Sequence, residues 1–449
     1  MVMTTTLSSQ IFAPLFNDED VSQLLSDRAF VGALVEVEIA LARAEARVGV
    51  IPTTAAEQID SVQAEKIDIA ALAQGTLRSG FPIIALVQEL RKQVGIDAAA
   101  YVHWGATTQD IIDTACVLQM RSVIKVMRRR IAAIVTGLSA LAERHRSTVL
   151  AGRTHSQQAL PVTFGLKVAG WLAPLLRHAE RLGELEPRLL VVQFGGAAGT
   201  LAALGDKGLA VTQALARELK LAVPAMPWHT QRDAFVEFAG WLSLVTGSLG
   251  KMAQDIILMA QTEVGEVGES GEAGRGGSST MPQKSNPITS ELIVAAARTN
   301  ASLLSALHNA QIQEQERGTH GWQVEWLTLP QMITLTGGAL KHAAYLAKNL
   351  QIDPQAMRSN ILRANDVILA EAAVFALAKA MPRAQAEELV KRACAVAVSE
   401  NKSLIDVVKS LAGDTAAAVD WQALARPENY LGESDKMIEQ ILQRARKLF

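Results

Sequence analysis

Residues 117–141 read Val-Leu-Gln-Met-Arg-Ser-Val-Ile-Lys-Val-Met-Arg-Arg-Arg-Ile-Ala-Ala-Ile-Val-Thr-Gly-Leu-Ser-Ala-Leu. Within them Val117, Met120, Ile124, Met127, Ile131, Ile134, Leu138 and Leu141 alternate spacings of three and four. That repeat averages about 3.5 residues, the period of helices that supercoil around one another, and excludes a strand, whose faces alternate every second residue. Phe235, Phe238, Leu242, Val245, Leu249, Met252, Ile256 and Met259 repeat the pattern with no proline inside it. At about 1.5 Å per residue, thirty-odd residues span roughly 50 Å. Val162–Leu190, Ile288–His308 and the run Leu329, Ile333, Thr336, Leu340, Ala343, Ala347, Leu350 supply further long helices. Pro174 is expected to kink the first of these, and Pro330 to mark the start of the last. The expectation is an all-α fold around a long central helical bundle.

Outward from the bundle the pattern shortens. Asp20 to Val50 reads as one helix with Ala33, Val37, Ala40, Leu41, Ala44 and Val48 on a face, stopped by Gly-Val-Ile-Pro. After Asp353-Pro354 shorter helices are expected over 367–379, 385–399 and 435–447. Three domains follow: 1–110, a small N-terminal helical domain; 111–352, the bundle, carrying a loop at 274–287; and 353–449, a C-terminal helical domain. Long helices with apolar or small residues on more than one face seldom bury everything within one chain, so a homo-oligomer formed through the bundle is expected.

Composition agrees. Of 449 residues 49% are hydrophobic but only 4% aromatic, which favours close-packed helices over sheets. The net charge of -2 leaves no bulk electrostatic reason to expect a nucleic-acid or membrane-surface partner. Cys116 and Cys394 are too few for a disulfide framework or a cysteine zinc site. No apolar run reaches membrane-spanning length and the N-terminus lacks a signal-peptide pattern, so a cytoplasmic protein is expected. The eight histidines are scattered and none joins Asp or Glu at ligand spacing, so no metal site is expected.

Three polar stretches interrupt the helical pattern, each at the end of a bundle helix. Gly274 to Pro287 reads Gly-Arg-Gly-Gly-Ser-Ser-Thr-Met-Pro-Gln-Lys-Ser-Asn-Pro. Its glycines disfavour regular structure, while Ser278, Ser279, Lys284 and Asn286 offer a proton-transfer group and donors for an anionic intermediate. A plain Ser/Gly linker would need neither Lys284 nor Asn286 between two prolines, nor Met281 just before them. In His103 to Asp110, Thr107 and Thr108 stand where a helix starts, a site for a carboxylate beside exposed N–H groups or, in the plainer reading, a simple N-cap. In Gly152 to Gly165, His155 could move a proton; a lone histidine is more often structural, but Arg153, Thr154 and Gln157 weigh against that. Phe194-Gly-Gly-Ala-Ala-Gly199 lacks the preceding strand of a dinucleotide site and reads as a tight turn, with Gln193 beside it in reach of a ligand.

Taken together, Gly277-Ser-Ser-Thr-Met-Pro-Gln-Lys-Ser-Asn-Pro287 with the segments at 103–114 and 152–165 resembles the fumarase/aspartase superfamily over essentially the whole chain. The resemblance implies three helical domains and a homotetramer whose active sites draw the three segments from three subunits. It also implies chemistry through an aci-carboxylate intermediate, with no cofactor. By position, Ser278 would transfer the proton, and Lys284 and Asn286, with Ser279 and Met281 in the same loop, would hold the substrate carboxylate. Thr107, Thr108 and His103 would bind substrate from the first segment, and His155 with Thr154 would contact it or act as a second acid/base.

The run Gln315-Glu-Arg-Gly-Thr-His-Gly-Trp-Gln-Val-Glu-Trp-Leu-Thr-Leu-Pro330 resembles the lactonising, cycloisomerase branch of bacterial aromatic catabolism more than the adenylosuccinate lyases. That branch implies a small tricarboxylate substrate, for which Arg153, Lys284 and Arg317 are the available cations. An adenylosuccinate lyase-type β-elimination releasing fumarate is the nearest alternative. A catalytically inactive structural protein of the lens-crystallin kind is the other, against which the intact Ser278, Lys284, Asn286 and His155 argue.

Overall fold

The computed structural model describes residues 6–269, 276–277 and 280–449. It is dominated by helices, with two small two-stranded antiparallel sheets. In chain order the elements that matter are α1 (Glu19–Leu24), α2 (Asp27–Val48), α3 (Thr108–Arg144), β1 (Val149–Thr154), β2 (Gln157–Thr163), α4 (Phe164–Leu189), α5 (Gly208–Leu219), α6 (Asp233–Met259), β3 (Val267–Gly268), α7 (Ile288–Ala310), α8 (Gly321–Asn349) and β4 (Gln351–Ile352). Shorter helices, among them Arg383–Glu400, Leu404–Ala412 and Ser434–Leu448, complete the chain. The fold divides into two compact units, one of Met1–Arg130, His178–Gly247 and Ala295–Lys341, the other of Ile131–Arg177, Ser248–Val294 and His342–Phe449.

In the first unit Leu34, Val37 and Leu41 of α2 and Val211 and Leu215 of α5 lie fully inside one apolar cluster, each such side chain contributing about 1.5–3 kcal/mol by leaving water. The bundle helices meet through polar pins as well as apolar seams. Asn300 of α7 is buried and donates to Thr336 Oγ1 of α8 at 2.9 Å, and Trp241 Nε1 of α6 donates to the His178 carbonyl of α4 at 2.9 Å. In the second unit a Cβ placed on Gly137 of α3 would stand 2.9 Å from Ala347 of α8; the missing side chain lets the two backbones approach. Val149 and Ala151 of β1 join an apolar cluster with Leu369, Leu389 and Val408.

Three local expectations are corrected. Asp20 to Val50 is two helices, because Asp18 caps α1 through Asp20 N–H and Val21 N–H, and Ser26 caps α2 through Ala29 N–H; an internal Ser-Asp pair stopped and restarted the helix. Pro330 lies inside α8, which begins at Gly321. The helix tolerates the lost N–H because its first turns are held from the side: Trp322 is buried, stacks 5.7 Å from Phe81 and lies 4.7 Å from Trp326. Gly152 to Gly165 is a β-hairpin rather than a turn alone, with Thr154 paired to Gln157.

Candidate active site

In the first unit the opening turn of α3 is a hub. Asp110, almost fully buried, accepts from Thr107 N–H at 3.0 Å, which is one half of a capping box. The same carboxylate accepts from Gly195 N–H and Gly196 N–H, both at 2.9 Å, and lies 2.7 Å from His229 Nε2. The glycine turn thus turns its N–H groups onto an internal carboxylate, with Gly196 at φ +67°. Thr107 and Thr108 are half-buried at this helix start, and neither hydroxyl has a hydrogen-bond partner among the described residues. Gln193 is fully buried; its side-chain Oε1 accepts from Trp228 N–H at 2.8 Å, so it braces the turn. His103, held at φ +65°, places Nδ1 2.6 Å from Oε1 of the buried Glu38. Burial alone would lower its pKa, but the Glu38 charge and hydrogen bond prevail and raise it, favouring an imidazolium.

Arg317 reaches the same hub. Its Nη1 donates to Gln109 Oε1 at 2.9 Å and its Nη2 to the carbonyl oxygen of Ala197 at 2.8 Å. Behind Gln109 lies a buried charge cluster: Arg232 donates to Asp113 at 2.7 Å and to Glu325 at 2.8 Å, and Trp322 Nε1 donates to Asp113 at 3.0 Å. The Arg232 guanidinium also sits 4.6 Å from the Phe235 ring centre. Burial pushes the Glu325 carboxyl up, against the opposing pull of Arg232.

In the second unit His155 and Ser156 form the two-residue tip between β1 and β2, at φ +49° and +63°. Positive φ at both central residues is what a type I′ connection requires, and neither residue is of the Asn-Gly kind that adopts it cheaply. Both tip residues are exposed. Arg153 makes a two-pronged pair with Glu266, at 2.9 and 2.7 Å. Glu266 is fully buried and also accepts from Asn360 Nδ2 at 2.8 Å, so the Arg153 fork is occupied by protein. Beside the hairpin a cavity of about 460 Å³ is lined by Arg153, Thr154, Lys167, Trp171, Lys251 and Asp255. Burial holds the Lys167 ammonium below its usual range.

Ser278 and Ser279 lie outside the described residues, as do Gly271 and Gly274. The rest of the loop is pinched at its base. Asn286 N–H donates to the Gly276 carbonyl at 2.8 Å, and Gly277 pairs with Ser285. Gly276 sits at φ +71°, where a Cβ would fall 2.5 Å from the Asn286 carbonyl. Glu269 secures the loop's other flank by accepting from Thr289 N–H at 2.9 Å and Ser290 N–H at 2.7 Å, at the start of α7. Met281 and Lys284 are exposed on the turn between.

Reading the chain alone missed Glu38, Asp113, His229, Arg232, Glu266, Glu269 and Lys167. Only Glu266 and Glu269 carried a signal, two carboxylates just before the glycine-rich loop. Among the described residues no three His, Cys, Asp or Glu side chains are grouped to hold a metal, and no helix is long and apolar enough to cross a membrane.

A helical bundle with polar segments at its helix ends, and a Met-Pro-Gln-Lys-Ser-Asn-Pro loop pinched at the foot of α7, defines a class. Residues 16–299 match the family described as Lyase, and residues 366–441 the one described as Adenylosuccinate lyase C-terminus. The chain belongs to this lyase family of the fumarase/aspartase superfamily. It is 45% identical to the 3-carboxy-cis,cis-muconate cycloisomerase of Pseudomonas aeruginosa, over 98% of this chain and 97% of that one. To the enzyme of the same name from Acinetobacter baylyi it is 42% identical, over 98% and 99%. The crystal structure of the 3-carboxy-cis,cis-muconate lactonizing enzyme from Pseudomonas putida superposes with a TM-score of 0.93 at 42% identity, covering 98% of this chain and all of that one.

Proposed function

We propose that the chain converts 3-carboxy-cis,cis-muconate to 4-carboxymuconolactone, on the protocatechuate branch of the β-ketoadipate pathway. The observation that carries this is full-length identity above 40% to two cycloisomerases. One substrate carboxylate oxygen attacks the diene, forming the ring C–O bond; the π electrons move onto the carbon beside a second carboxylate as an aci-carboxylate, and that carbon takes a proton. Ser278 delivers it, directly or by relay. Lys284, Asn286, Ser279 and Met281 hold the loop carboxylate, where backbone N–H groups and a cation stabilise the charge as it forms. Thr107 and Thr108 offer open hydroxyls to another carboxylate at the start of α3, with His103 as a cation beside them and Arg317 as a second. His155, with Thr154, is a second acid/base. Arg153 and Gln193 enter as braces of the hairpin and of the glycine turn, since Glu266 and Trp228 already occupy their polar atoms.

The same proposal includes a cytoplasmic homotetramer with active sites shared between subunits and the bundle as the shared core. The exposure of His155 and Lys284 in the single chain supports it, because a proton-transfer site needs to be closed from water. It also includes the division into domains 1–110, 111–352 and 353–449, and catalysis without metal or cofactor. The Adenylosuccinate lyase C-terminus match at 366–441 favours a second reading, β-elimination releasing fumarate. Lactonisation turns a trianion into a dianion and takes up a proton, whereas elimination from adenylosuccinate at neutral pH takes up none. Incubating purified protein with each substrate, following ultraviolet absorbance and proton uptake together, separates the two. Turnover of adenylosuccinate without lactonisation would overturn the first.

A further inference from the structure

The Trp322-Gln-Val-Glu325 run is part of the stretch that carries the resemblance to the lactonising branch, yet Trp322 and Glu325 are buried and engaged with protein. We infer that Gln109 is a positioning residue for Arg317, and that Trp322 and Glu325 serve the substrate through the same frame instead of by touching it. This rests on the reading of Arg317 as a contact to a substrate carboxylate.

Gln109 is an adaptor between a cation and an anion. It is 2% exposed, and its Nε2 donates both to Asp113 Oδ2 at 3.0 Å and to the His229 carbonyl at 2.9 Å. With the amide nitrogen committed to two acceptors, only the carbonyl oxygen can face Arg317, which it meets at 2.9 Å. A flipped amide would put N–H against guanidinium and oxygen against carboxylate, so the orientation is determined by charge. Asp113, one helical turn further along α3, is itself held by both Nη atoms of Arg232 and by the Trp322 indole. Arg232 in turn holds Glu325, three residues beyond Trp322 on α8.

The second Nη of Arg317 is held by the Gly196 and Ala197 carbonyls, at 3.3 and 2.8 Å. The N–H groups of Gly195 and Gly196 are bound by Asp110. Both arms of the guanidinium are therefore referred to the first turn of α3, one through Gln109 and one through the glycine turn. The Arg317 Nε–H has no partner among the described residues and remains to meet an anion. A planar fork recognises a carboxylate only when its plane is fixed, which is what this frame supplies.

The test is a double-mutant cycle on the full-length protein, with steady-state turnover of 3-carboxy-cis,cis-muconate. Gln109→Met keeps length and volume but removes the acceptor for Arg317 together with the amide donors to Asp113 and His229, and is expected to raise KM about tenfold, chiefly through the lost charge-assisted contact, with kcat within about threefold. Arg317→Ala raises KM at least as far. In the Arg317→Ala background, Gln109→Met has no further effect on KM, because its target is gone. Trp322→Phe keeps an aromatic ring but deletes the donor to Asp113 along with the smaller ring of the indole; it is expected to raise KM by about threefold or more, and again not in the Arg317→Ala background, where a loss of packing alone would still show. This second cycle decides the matter if Gln109→Met does not fold. Effects on KM that multiply in both cycles, or a fall in kcat with KM unchanged, overturn the inference. A wild-type protein that does not turn over the tricarboxylate overturns the functional reading instead.

Discussion

Glu45 provides a measurement on a single carboxyl group. It lies on α2, is fully buried, and neither carboxylate oxygen has a hydrogen-bond partner among the described residues. Burial first, and the Glu38 charge second, push its pKa from 4.5 up to about 9. Below pH 4.5 both folded and unfolded chains carry the proton and nothing is at stake. Above it the unfolded chain releases a proton that the native chain retains, so stability falls as pH rises, until the native group ionises near the upper value. The slope is about 1.4 kcal/mol per pH unit, which gives a loss of about 3 kcal/mol between pH 5 and pH 7. Glu45→Gln has the shape of the protonated acid and does not titrate. Urea unfolding followed by circular dichroism, at fixed protein concentration because an oligomer's stability depends on it, is run for both proteins at the two pH values. The advantage of Glu45→Gln over wild type is expected to grow by about 3 kcal/mol from pH 5 to pH 7. A difference that stays constant across that range would refute the argument, since it would mean Glu45 titrates alike in both states.

Ser278→Ala is expected to lower kcat by about a hundredfold or more while its sedimentation profile matches that of wild type; near-normal turnover would remove Ser278 from the chemistry. Glu38→Gln removes the charge that raises the His103 pKa. The KM for tricarboxylate should therefore begin to climb at a lower pH than in wild type, and superimposable KM–pH profiles would mean the His103 charge does not hold substrate. Glu266→Gln leaves Arg153 without its buried counter-charge; because Arg153 keeps part of its side chain in water, the change is expected to cost about 1–3 kcal/mol, and an unchanged thermal midpoint would show that Arg153 finds another anion.

What could be read from the chain and what could not divide along a physical line. A 3.5-residue apolar repeat is a local property: it announced α6 within a few residues of its observed ends and runs from Val117 to Leu141 inside α3, while the apolar stretch 288–308 matched α7. The loop before α7 was legible for a similar reason, since its glycines, prolines, Lys284 and Asn286 lie within a single short stretch. Pro330 was misread because the lateral packing of Trp322 on Phe81 and Trp326 outweighs a local proline rule. The hairpin carrying His155 was read only as a turn, because a type I′ tip made of His and Ser lacks the usual glycine and asparagine. The partners of the candidate residues were not legible at all. Arg153 meets Glu266 across 113 residues, and Arg317 meets Gln109 across 208. Nothing in spacing or composition specifies which distant carboxylate or amide a given guanidinium will face. Local composition and periodicity thus decided that this chain is a helical bundle with a glycine-rich polar loop at a helix end; only tertiary packing decided that Arg153 braces a hairpin and that Arg317 hangs from the first turn of α3, because polar groups far apart in sequence are paired by the fold that draws them out of water.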